Sequence, residues 1–199
     1  MTATIADLYR QRCQVWSDVV EHLPVLHDTV VDSGAQTVVE LGVRTGNSTV
    51  ALLAGVVETG GYLWSVDIRL MPQEQYTPLK RAAGHAWSFI IGDDLAVADQ
   101  VGDIIECHTF DGSSTFVPAG IDVLFIDSSH HYDHTLAELR LYGPRATTIL
   151  LHDTELEHPD GAPLEPAYPV KTAVEEWCGE TGRSWRNLTN CYGLGIIGG

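Results

Sequence analysis

Positive charge is scarce in this chain of 199 residues: 11 Lys plus Arg face 27 Asp plus Glu, for a formal net charge of −16. Clustered cations are what phosphate backbones require, so a nucleic-acid partner is disfavoured and none is expected. Long apolar runs are missing as well. Nothing approaches the ~20 apolar residues that span a bilayer, and the N-terminus has no basic start followed by an apolar core. A cytoplasmic protein without membrane contact is expected. The four cysteines, Cys13, Cys107, Cys178 and Cys191, contain no Cys-x-x-Cys pair, which points to reduced structural thiols rather than zinc or disulfides. No internal repeat or low-complexity tract interrupts the chain. Its length suits one domain spanning 1–199, large enough to bury most of its apolar surface.

What is present is an alternation of short β-branched runs with helical segments, the pattern of a mostly parallel sheet covered on both faces. It predicts strands near 37–41, 62–67, 87–91, 121–126 and 147–152, and helices near 48–57, 73–82, 94–101, 131–141 and 170–181. A closing strand pair is predicted at 184–189 and 193–197. Residues 1–33 form a helical extension, with helix over about Ile5 to Val31 interrupted near Pro24, suited to capping a substrate side or an interface between copies. Two stretches read as irregular, Cys107 to Gly120 and the proline-rich Glu155 to Pro169. The latter, taken as a lid over 154–169, follows directly on a candidate site acid.

The run Thr37-Val38-Val39-Glu40-Leu41-Gly42-Val43-Arg44-Thr45-Gly46-Asn47-Ser48 is a buried strand ending in an acid and opening through glycines into a helix. Gly42 and Gly46 stand four apart, so the dinucleotide G-x-G-x-x-G fingerprint is absent. Glu40 sets a carboxylate beside the turn, which repels phosphate and suits a cationic ligand such as a sulfonium with an ammonium group. Tyr62 to Asp67 repeats the strand-then-acid pattern, and an acid there is the usual acceptor for a ribose diol. Lesser alternatives are a helix cap for Asp67 and a purely structural turn for Glu40, Gly42 and Gly46.

With acid-x-Gly-x-x-x-Gly-x-Ser at Glu40, Gly42, Gly46 and Ser48, the chain resembles the class I S-adenosylmethionine-dependent methyltransferases. Ile121 to Tyr132 and Ile149 to Thr154 are similar to the small-molecule O-methyltransferases that include macrolide sugar-tailoring enzymes, and more distantly to catechol O-methyltransferases. The resemblance implies a Rossmann-like α/β fold with a seven-stranded sheet whose last strand is reversed. It also implies S-adenosylmethionine held by Glu40, Gly42, Gly46, Ser48 and Asp67, with adenine near Asp93 or Asp94.

Asp127 and Asp153 each end an apolar strand on the side where open α/β sheets bind ligands. Two such carboxylates suit Mg2+, which would polarise a vicinal diol of a small hydroxyl acceptor. His130, three residues after Asp127, is the candidate general base, the role the matching His has in the sugar enzymes. Thr154 stands where the catechol enzymes have Asn, leaving a third ligand to Glu155 or water. Simpler roles are open beside these: Asp127 as a cap for the helix near His131, Asp153 as a turn residue, Asp93 and Asp94 as caps, His130 as part of a solvated helix start. Two rivals stand beside the transferase: a non-haem iron site built from His130, His134 and Asp153 or Asp127, and a cofactor-binding protein without turnover. Trp64, Trp87, Trp177, Tyr132 and Tyr168 are candidate stacking partners for an acceptor ring, with core packing the default. The acids of the lid, Glu155, Glu157, Asp160 and Glu165, disfavour an anionic acceptor.

Overall fold

A computed structural model describes residues 3–98, 104–105, 109–116, 119–158 and 165–198. Helices α1 (Ile5–Arg12) and α2 (Leu23–Ser33) precede strand β1 (Thr37–Leu41), and β1 leads through the glycine turn into α3 (Asn47–Thr59). There follow β2 (Tyr62–Asp67), α4 (Gln73–Ala83), β3 (Trp87–Ile91) and α5 (Asp94–Ala98). A two-stranded pair, β4 (Ile104–Ile105) and β5 (Thr115–Phe116), comes before β6 (Ile121–Ile126) and α6 (Tyr132–Tyr142). The chain closes with β7 (Ala146–His152), α7 (Pro169–Thr181), β8 (Trp185–Leu188) and β9 (Leu194–Ile197).

Seven strands form one sheet in the order β3-β2-β1-β6-β7-β9-β8. All neighbours are parallel except β9, which runs against both β7 and β8. This is the expected Rossmann-like α/β sheet with its reversed strand. Because β1, β2, β3, β6 and β7 are covered on both faces, they are continuous apolar runs rather than alternating ones. One core lies under α1 to α4 and contains Val38, Leu63, Trp87 and Phe125. The other lies under α5 to α7 and contains Val39, Leu124, Leu151 and Trp177. Strand order reverses between β1 and β6, which opens a crevice at their carboxyl ends.

The N-terminal break falls between residues 13 and 19, not at Pro24 as predicted. Pro24 lies in the first turn of α2, where its missing N–H has no partner to lose. The stretch 107–120, expected to be irregular, contains β5 paired with β4, and Thr109 bridges to Ile90. Residues 99–101 of the helix predicted at 94–101 lie outside the described residues. So do 159–164 of the lid, with its Pro159, Asp160 and Pro163. The described ends of the lid meet, the His158 N–H donating to the Ala167 carbonyl at 2.8 Å. Among the described residues no helix is long and apolar enough to cross a membrane.

Candidate active site

The glycine turn is built by close approach of two strand ends. The Asp127 N–H donates to the Leu41 carbonyl at 2.8 Å, and the Gly42 N–H to the Val66 carbonyl at 2.9 Å, so hydrogen bonding continues past the strands. Gly42 has φ +88°, and a Cβ there would collide with the Asp127 carbonyl. Gly46, at φ +77°, caps α3, and a Cβ would come 2.9 Å from Met71 Cε. Between them Arg44, a non-glycine, also has positive φ, at 51°.

Asp67 holds this turn from β2. Its Oδ2 accepts the Val43 and Arg44 N–H groups, both at 2.9 Å, and its Oδ1 the Arg69 N–H at 2.7 Å. One carboxylate therefore fixes the backbone that leaves β1 and the backbone that leaves β2, and a helix cap is not its role. A small cavity lies beside it, lined by Asp18, Val43, Thr45, Asn47, Ser48 and Asp127. Asp18 comes from the segment after α1 and pairs with Arg44 at 2.5 Å.

Glu40 is not at the cavity surface. Its side chain is 0% exposed, with Ser48 Oγ donating at 2.7 Å, Thr49 Oγ1 at 2.8 Å and Ser65 Oγ at 2.5 Å. Burial pushes this carboxyl up to about 7, against the lowering effect of the three hydroxyls. Glu40 joins the first turn of α3 to β2 from behind the glycine turn, with its carboxylate inside the fold and not at the cleft surface.

At the ends of β6 and β7 the acids meet two imidazoles. His130 Nε2 lies 2.8 Å from Asp153 Oδ2 and 3.8 Å from Asp127 Oδ1. His152 Nδ1 lies 3.1 Å from Asp153 Oδ1 and 3.6 Å from Asp127 Oδ1, with its Nε2 on the Cys191 carbonyl at 3.0 Å. Asp153 adopts φ +63°, uncommon for a residue with a side chain, and the turn brings its carboxylate onto the same group as Asp127. The two carboxylates raise both imidazoles to about 10, through hydrogen bonds and charge. The imidazoles in turn hold the carboxyl of Asp153 far below the ordinary range, in spite of its burial, and lower that of Asp127.

Ligand atoms of Asp127, His130 and Asp153 all lie within 4.8 Å of one another, and such a set can hold a metal ion. The two carboxylates of Asp127 and Asp153, converging at a crevice, fit an oxygen-liganded divalent cation, with His130 beside them. Glu155 is no third ligand: its Oε1 accepts from Lys171 Nζ at 2.8 Å and Asn187 Nδ2 at 2.7 Å. Thr154 is buried and donates to Asn187 Oδ1 at 2.7 Å.

The simpler roles sort unevenly. α6 begins after His131 with no side-chain cap, so Asp127 does not cap it; Glu165 of the lid accepts the Tyr132 N–H at 3.1 Å instead. Asp93 does cap, its Oδ1 accepting the Leu95 N–H at 2.9 Å. Asp94 is buried against His134, whose Nε2 lies 3.0 Å from Asp94 Oδ1. The proposed iron triad is thereby split, because His130 and His134 join different carboxylate groups. Trp64, Trp87 and Trp177 are core, whereas Tyr168 is exposed beneath the Lys171 ammonium.

Sequence reasoning missed His152. Its signal was a single titratable residue closing the buried run Ile149 to Leu151, where an unpaired charge would be costly.

A family model described as a methyltransferase domain matches residues 39–154. No match was found among curated proteins. Solved structures share the fold at low identity. TomG from Streptomyces achromogenes, an O-methyltransferase of tomaymycin synthesis solved with S-adenosylmethionine, is 15% identical at a TM-score of 0.64, covering 100% of this chain and 92% of its own. An O-methyltransferase from Bacillus cereus, solved with S-adenosylhomocysteine, is 13% identical at 0.63, covering 98% and 90%.

Proposed function

The chain belongs to the methyltransferase-domain family, and from that premise we propose that it moves a methyl group from S-adenosylmethionine to a hydroxyl of a small molecule. The observation that carries the reading is the junction of Gly42 and Asp127, where the turn expected to hold the cofactor touches the strand end that bears the acid and histidine cluster. Methyl transfer needs an oxygen nucleophile held in line with a sulfonium, and the contact of these two segments supports a reading in which cofactor and acceptor share one crevice.

Each residue has a task in that reaction. Val43 to Ser48 form the backbone floor for the cofactor, and Asp67 sets its shape while offering a carboxylate to the ribose diol. Glu40 positions the floor from within. Asp93 and Asp94, at the end of β3, border the adenine side. Asp127 and Asp153 would hold a divalent cation, Mg2+ by its preference for oxygen ligands, and that ion supplies positive charge that lowers the pKa of a bound hydroxyl. His130, kept protonated by Asp127 and Asp153 when those carboxylates are bare, would take the hydroxyl proton in its neutral form, which a cation on the two acids favours. Lys171 neutralises Glu155, and the charge left on the other lid acids, Glu157 and Glu165, disfavours an anionic acceptor and favours a neutral or aminated sugar or natural-product hydroxyl.

A second, metal-independent reading is favoured by one contact. At 2.8 Å, His130 and Asp153 form an imidazole–carboxylate pair that activates a nucleophile once the imidazole, raised to about 10, has lost its proton, so turnover by the pair alone should rise with pH. Calorimetry with S-adenosylmethionine tests the cofactor: wild type binds, Asp67→Ala loses most of the heat, and a wild type without heat or thermal shift refutes the transferase reading. Turnover in EDTA separates the two mechanisms, since loss of activity restored by Mg2+ supports the ion and unchanged turnover supports the pair alone.

A further inference from the structure

Beside the proposed active site, on the α5–α6 side of the sheet, lies a second group, of which Asp94 borders the proposed adenine side while His134 and Glu138 have no part in the reaction. Residues 134 and 138 are one turn apart on α6 and project to the same side, toward the end of β3. His134 Nε2 lies 3.0 Å from Asp94 Oδ1 and 3.9 Å from Glu138 Oε1, and ligand atoms of the three residues fall within 4.8 Å of one another. Glu138 is 0% exposed. Its Oε1 accepts from Ser128 Oγ at 2.5 Å, but its Oε2 is buried with no hydrogen-bond partner.

A buried carboxylate oxygen without a donor is costly, and here a second buried carboxylate stands next to it. Among the described residues the only ion pairs of Asp94 and Glu138 are to the one imidazole of His134. Burial pushes both carboxyls above their ordinary range. Two arrangements relieve such a pair: a proton shared between the carboxyls, or a cation bound by them. The imidazole beside the two carboxylates completes a three-donor set for the cation. Two carboxylates with an imidazole nitrogen match zinc and manganese better than magnesium, and His134, partly exposed, gives an ion a way in.

We propose that Asp94, His134 and Glu138 bind a divalent transition-type cation, Zn2+ or Mn2+, at a site distinct from Asp127, His130 and Asp153. The ion ties the end of β3 to α6. It also reaches the active site indirectly, because Ser128, fixed on Glu138, follows Asp127 in the chain. Its role is to hold the turn that carries Asp127 and the α5 border of the cofactor crevice, not to meet substrate.

The test counts metal. The full chain is stripped with EDTA, dialysed against micromolar Zn2+, and its bound zinc measured by atomic absorption for wild type, His134→Ala, Glu138→Gln and Asp153→Asn. His134→Ala and Glu138→Gln should each bind one equivalent fewer than wild type, and lose the rise in melting midpoint that Zn2+ gives through that site. Adding His134→Ala to Asp153→Asn should again remove one equivalent, which separates this site from the other group and from the transferase reading. If Glu138→Gln does not fold, His134→Ala alone decides, its ring being partly exposed. Equal zinc content in wild type and His134→Ala, none in either included, overturns the proposal in favour of the shared proton.

Discussion

Glu40→Gln isolates one buried charge. The carboxyl sits at 0% exposure inside a cage of Ser48, Thr49 and Ser65 and ionises near 7, against 4.5 for an ordinary glutamate. Below pH 4.5 it is protonated in both folded and unfolded chains, and its contribution to stability is then fully present. As pH rises from 4.5 toward 7 the unfolded chain releases its proton first, so folded stability declines; above 7 both forms are ionised and the decline stops. The size follows from the interval between the two values, about 3 kcal/mol. Glutamine keeps the shape and removes the titration. Its amide must find acceptors among hydroxyls that now donate, which costs about 1 kcal/mol.

The variant should therefore be slightly less stable than wild type at pH 5 and more stable by about 2 kcal/mol at pH 8. Urea denaturation at half-unit pH steps, in EDTA, gives the difference directly. Other titrating groups, the two histidines of the acid cluster included, cancel in the comparison because the substitution leaves them in place. A thermal melt should show the variant gaining roughly 4–8 °C over wild type between those two pH values. A difference in stability that is constant from pH 5 to pH 8 would refute the reasoning, since Glu40 would then be ionised throughout and its cage far more favourable to charge than burial allows.

Two further substitutions test the frame around the crevice. Gly42→Ala adds a Cβ both at φ +88° and against the Asp127 carbonyl, so it should destabilise by about 3 kcal/mol or more in urea; a loss under 1 kcal/mol would mean the β1 and β6 ends part without cost. His152→Phe keeps the ring's bulk and removes the buried counter-charge of Asp127 and Asp153, a loss of about 3 kcal/mol in EDTA. Mg2+ should then raise the melting midpoint of His152→Phe more than that of wild type, and equal shifts would remove those two acids from the ion's ligands.

The boundaries of β1, β2, β3 and β6 were legible because strands buried on both faces must be apolar throughout, and each ran into an acid or glycine where the backbone leaves the sheet. Pro24 was misread for a local reason: a proline looks the same whether it breaks a helix or begins one, and only the turn before it tells. The site divides along the same line. Asp127 and Asp153 were visible as strand-end acids because their placement depends on their own strands. What Glu40 does depends on its register opposite Ser65, a pairing between two strands that no local pattern encodes. His152 and Glu138 carried a signal that went unused, a titratable side chain on an otherwise apolar run. On α6 the buried positions 135, 136, 138, 139 and 142 follow helical spacing, and Glu138 falls among them. An acid at such a position must have a proton, an imidazole or an ion beside it, and that requirement is readable before any coordinates exist. Which of the three answers it depends on distances between elements far apart in the chain, and here those distances bring one imidazole to two carboxylates and leave one oxygen unmet.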